Sequence, residues 1–104
     1  GNKIFIIQSI DRKMDFEDIA QAKNLDADEL LTEIEGIVNS GTKLDISYYI
    51  DQVVDEDKAQ DIYLYFKEDA QSDSLDEAIE ELGGDYTEEE IRLVRIKFMC
   101  EQGN

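Results

Sequence analysis

The sequence predicts an all-α fold, and three observations carry that expectation. The 104 residues contain no proline and only six glycines, a composition that favours helices over sheets joined by tight turns. Leu30, Ile34, Ile37 and Val38 recur at the spacing of one helical face. Asp26 with Glu29, Ser74 with Glu77 and Thr87 with Glu90 stand at the separation of a capping box, so helix starts are written along the whole chain. The pattern leaves room for one short strand.

Taken in order, "NKIFIIQSIDRK" places Ile4, Ile7 and Ile10 three apart and predicts a short, heavily buried first helix. Asp15 is an N-cap for a second helix that turns Ile19, Ala20 and Ala22 inward. Asn24 tolerates a left-handed backbone and marks the turn. Asp26 and Glu29 then open the third helix, which Gly41 ends. "TKLDISYY" alternates Leu44, Ile46 and Tyr48, the period of a short strand or extended segment, where a winged helix carries its wing. A helical turn through Val54 follows, then a helix capped by Asp55 or Asp57 that presents Ile62, Tyr65 and Phe66. Two further helices start at the Ser74 and Thr87 boxes, the first closed by Gly83 and Gly84.

A helix-turn-helix part in residues 1–46 and a C-terminal helical part in residues 47–104 are expected to pack as one domain, because a chain of this size supports one core and no low-complexity linker divides it. One cysteine and no histidine give neither an internal disulfide nor the usual zinc set, so no metal is expected and the compartment reads as cytoplasmic. No apolar run reaches the roughly 18 residues that span a bilayer, and no membrane partner is expected. Whether Gly1 is native is left open.

Charge constrains partners. The net charge is −17; residues 1–46 carry five basic and ten acidic side chains, residues 47–104 five and seventeen. Nucleic-acid affinity comes largely from counterions released by Lys and Arg, so a surface this acidic repels a polyanion at long range. Contact with DNA is expected to be local and weak.

Catalytic motifs are missing: the chain has no histidine base and no Gly-rich phosphate loop, and no cofactor is expected. A calcium-loop register from Asp69 breaks at Ser74, where the sharp turn needs glycine. Cys100 has no base beside it and reads as filler. Tyr48, Tyr49, Tyr63 and Tyr65 are interleaved with apolar residues and read as packing rather than as platforms for bases.

The strongest signal is the helix-turn-helix spacing of Ile19, Ala20, Asn24, Leu25 and Leu30. One departure stands in it: the last expected core position falls on Glu33, and Ile34 takes over one residue later. With the apolar stripe inward, the outer face of the third helix offers Asp28, Thr32, Glu35 and Asn39, none of them the Arg or Lys that grips phosphate or guanine. Lys13, Lys23 and Lys43 are the candidate phosphate contacts nearest the motif. Arg92 and Arg95 share a face of the last helix and either clamp phosphates or pair with Glu88 and Glu89.

The segments "DFEDIAQAKNLDADELLTEIEGIVNSGTKLDISYYID" and "IYLYFKEDAQSDSLDEAIEELGGDYTEEEIRLVRIKF" resemble the helix-turn-helix domain at the C-terminal end of RecQ-family ATP-dependent DNA helicases, in the long form of Bacteroides-like bacteria. The likeness spans nearly the whole chain. It implies a non-catalytic accessory domain of a helicase active in DNA repair and recombination, which engages DNA or a partner protein. None of the motor motifs is in this sequence. The alternative is an acidic module that does not bind DNA itself but docks a basic protein surface, such as the parent helicase core, as a partner or autoinhibitor.

Overall fold

The computed structural model describes residues 1–102. Among the described residues seven α-helices follow one another: α1 Asn2–Asp11, α2 Phe16–Ala22, α3 Ala27–Asn39, α4 Ser47–Val53, α5 Glu56–Leu64, α6 Leu75–Leu82 and α7 Glu88–Gln102. A π-helical turn, Tyr65–Asp69, prolongs α5 and is closed by the Ala70 N–H donating to the Tyr65 carbonyl.

The helix starts follow the sequence signals. Asp15 accepts from the Glu17 N–H, and Asp26 and Glu29 exchange both bonds of a capping box. Thr87 and Glu90 do the same ahead of α7. At Ser74 only half the box forms: its hydroxyl accepts from the Glu77 N–H, while the Glu77 carboxylate takes the Ser72 hydroxyl instead. Asp55 precedes α5, although its side chain makes no cap bond.

Three helices end in the same way. At the ends of α1, α2 and α3 one residue adopts a left-handed backbone, Lys13 (φ 59), Asn24 (φ 57) and Gly41 (φ 103). The next N–H reaches back to a carbonyl five residues earlier: Met14 to Ser9, Leu25 to Ala20 and Thr42 to Ile37. Asn and Gly suit this position, whereas Lys there carries a steric cost of about 1 kcal/mol.

The core gathers on α7. Ile91, Leu93, Val94 and Ile96 are buried together with Arg92, so this helix is covered on most of its circumference and touches α3, α4, α5 and α6. Because α3 also packs on α1 and α2, it links the first helices to the last. Phe66 on the π-helical turn stacks against Phe98 of α7 with ring centroids 5.6 Å apart.

Three expectations are corrected by packing. In α1 the buried pair is Ile6 and Ile10, four apart, while Ile4 is 65% exposed and Ile7 half-buried. Ala22 is exposed, and Phe16 with Ile19 and Ala20 forms the inner face of α2. No strand is present among the described residues, so no wing forms. Residues 42–46 run as an unpaired segment whose Leu44 and Ile46 still enter the core, and Tyr48 already belongs to α4.

Tyr48 ties α4 to the α1–α2 loop by donating its hydroxyl to the Met14 carbonyl at 2.6 Å. Burial, then the charge of Asp15 and the neighbouring Tyr49, pushes its pKa from 10.0 up to about 12. The folded state therefore keeps this proton longer than the unfolded chain. Its contribution to stability is intact below pH 10 and is lost as the pH rises through about 12. Following phenolate absorbance against pH should reveal a late-titrating tyrosine that Tyr48→Phe removes; an unchanged curve in that variant refutes the assignment.

Candidate functional site

In a helix-turn-helix that reads DNA, the second helix of the pair presents its first turns to the major groove. Here that helix is α3, and its first turn carries Asp28 and Glu29. On the face predicted to lie outward, Asp28 and Thr32 are exposed and Glu35 is half-buried, and all three receive Arg92 of α7. The Arg92 guanidinium donates to both Glu35 carboxylate oxygens, at 3.1 Å from Nε and 2.8 Å from Nη2. It also donates to Thr32 Oγ1 at 3.2 Å and to Asp28 Oδ1. Only one guanidinium N–H is left over. Asn39 remains exposed at the last turn of α3.

Burial decides what this cluster does. The Arg92 side chain is 8% exposed and Glu35 15%, whereas Asp28 is 73% exposed. The Arg92–Glu35 fork is a buried bidentate pair, and the Asp28 arm is a solvated addition to it. Hydrogen bonding to Glu35, and after it to Asp28, outweighs burial and holds the Arg92 pKa even above its usual range. Glu88 adds an i,i+4 contact at 3.9 Å, the partner the sequence suggested, but the main partners come from α3. The sequence shows Arg92 as one of two cations, with Arg95, in the run Ile91 to Ile96, and its spacing gives no sign that the main partners lie on α3. Arg95 donates to the Asp73 carbonyl and so braces the segment before α6.

The three candidate lysines do not form one group. Lys13, in its left-handed turn at the end of α1, lies near Asp45, as does Lys97 of α7. The two ammonium groups add to the hydrogen bonds from Ser47 that hold the Asp45 carboxyl below the usual range. Lys43 and Lys97 line a recess of about 250 Å³ with Asp45 and Cys100. Lys13, Lys43 and Lys97 thus surround the extended segment between α3 and α4. Lys97 is the member that sequence spacing missed, because it is brought in by α7 from the other half of the chain. Lys23 stands apart, its ammonium 4.7 Å from the centre of the Phe5 ring near the start of α1.

Cys100 is buried, and burial pushes its thiol up rather than activating it. Among the described residues no group of His, Cys, Asp and Glu is placed to hold a metal, and no helix is long and apolar enough to cross a membrane.

The α2–α3 pair, its left-handed Asn24 turn and the buried Ile19, Ala20 and Leu30 are the parts a helix-turn-helix requires. Residues 1–50 match the family model of the RecQ-1-like helix-turn-helix domain. These residues are a RecQ-family helix-turn-helix domain. No curated protein matches the chain. In this RecQ-like domain the match covers α1 to α3 and the start of α4 and ends before α7, the helix that supplies Arg92 and Lys97. The reading helix of the RecQ-like motif is therefore clamped by a side chain from outside the matched region.

Proposed function

We propose that the chain is a non-catalytic accessory domain of a RecQ-type ATP-dependent DNA helicase acting in DNA repair and recombination, and that it helps its parent engage DNA by a face other than α3. The observation that carries this reading is the Arg92 clamp. It occupies the side chains of α3 that would meet bases, and those side chains are acidic. Contact with a phosphate backbone falls instead to Lys13, Lys43 and Lys97 around the 42–46 segment. Lys13 supports this, since its turn at the end of α1 holds the ammonium near Asp45 of this segment.

Titration of labelled fork DNA tests the proposal. Binding is expected in the micromolar range at low salt and to weaken steeply as salt rises. Lys13→Gly relieves the turn and removes a charge, so lost binding cannot be laid to unfolding. Combined with Lys43→Gln it should make the slope of log K against log salt shallower by about 2. An unchanged slope sinks the assignment of these lysines, and no binding at low salt sinks the DNA contact altogether.

A second reading is favoured by one specific observation. The groove between α2 and α3 is apolar at its floor and acidic at its rim. That supports a protein-docking module for a basic partner such as a segment of the parent helicase core.

A further inference from the structure

Beside the α2–α3 turn, next to α4 and the start of α7, a cavity of about 320 Å³ opens to the surface. Phe16, Ala20, Leu25, Leu30, Leu31 and Tyr49 form its apolar lining. Phe16 and Tyr49 lie face to face at 4.0 Å with 8° between their planes, which gives the floor a flat aromatic plate. Glu17, Asp18 and Glu89 stand at the rim, and no Lys or Arg lines the cavity. Burial raises the Tyr49 pKa, and the carboxylates of Glu89, Asp15 and Glu17 raise it further, so negative charge converges on the edge of the plate.

An apolar floor ringed by carboxylates selects its occupant. A nucleic acid meets repulsion at the rim, and an acidic or purely apolar segment leaves the rim charges unmatched. A helix with one apolar stripe flanked by Lys or Arg satisfies both zones. We propose that this groove docks a basic amphipathic helix of a partner protein, its apolar side chains on the Phe16–Tyr49 plate and its cations against Glu17, Asp18 and Glu89. The inference rests on the protein-docking reading above and gives it a place and a partner chemistry.

The probe is a synthetic helix-forming peptide with Leu at i, i+4 and i+7 and Lys elsewhere, titrated into the 104-residue chain and followed by NMR. Shift changes are expected to concentrate at Phe16, Leu25, Leu31 and Tyr49. Gln21→Trp, at an exposed position lining the cavity, blocks the floor without touching a rim charge and should weaken binding about tenfold. Asp18→Asn with Glu89→Gln should weaken it about fivefold and flatten its salt dependence. Equal binding by a peptide with Ala in place of Leu overturns the groove as an anchor site. Peptide binding that maps to another face overturns the groove while sparing the docking reading. Fork DNA binding with no peptide binding at all sinks both.

Discussion

Arg92→Met is expected to lower the free energy of unfolding by about 3 kcal/mol, seen in urea melts as a lower midpoint at unchanged slope. The size follows from which partner is left behind. Glu35, with 15% of its side chain exposed, would keep a buried carboxylate facing an apolar methionine, and Thr32 would lose its donor. Asp28, 73% exposed, simply returns to water, so its ion pair adds little to the loss. Removing both ends, as Arg92→Leu with Glu35→Leu, should recover most of the stability, because no stranded charge remains. A loss below about 1 kcal/mol in Arg92→Met would place the clamp among surface ion pairs. The α3 face would then be only loosely held by Arg92, and its acidic charge alone would oppose direct reading by this helix.

Ile34→Ala is expected to cost about 3 kcal/mol and to move a single cooperative transition downward on the order of 15 °C. Ile34 is fully buried on α3, the helix that touches α1, α2 and α7, so the cavity opens where the first helices meet the last. We propose that the two parts fold as one unit. The radius of gyration, 13.2 Å, is that of a compact domain of about 100 residues. Every probe should therefore report the same shifted midpoint, whether far-ultraviolet signal or tyrosine fluorescence. Two separate transitions, with only one moved by the substitution, would show that the parts before and after residue 46 fold independently.

Much of this architecture is legible in the chain. The caps at Asp15, Asp26 and Thr87 and the turn at Asn24 involve groups two to five residues apart, and such bonds form wherever the local sequence provides them. The stripe of α3 is equally plain, and Ile34 rather than Glu33 fills the core position. Other features resist a linear reading. Lys13 gives no composition signal for a left-handed backbone, since Asn or Gly is the residue expected there. Ser74 has the spacing of a full capping box, but Ser72 competes successfully for Glu77. The period-two run at Leu44 and Ile46 predicts a strand, yet a strand needs a partner, and both residues are buried without one.

By itself, then, the sequence determined an all-α chain, the helix-turn-helix pair within it and a surface of strongly negative sign, because capping, periodicity and net charge are local or additive properties. Only the tertiary structure decided which face of α3 is free. Arg92 and Glu35 are 57 residues apart, and Lys97 reaches the Lys13 and Lys43 neighbourhood from the last helix. No spacing rule connects positions so distant; their meeting depends on how α7 settles among the other helices, where burial makes Arg92, one of two arginines in an apolar run, the partner of α3.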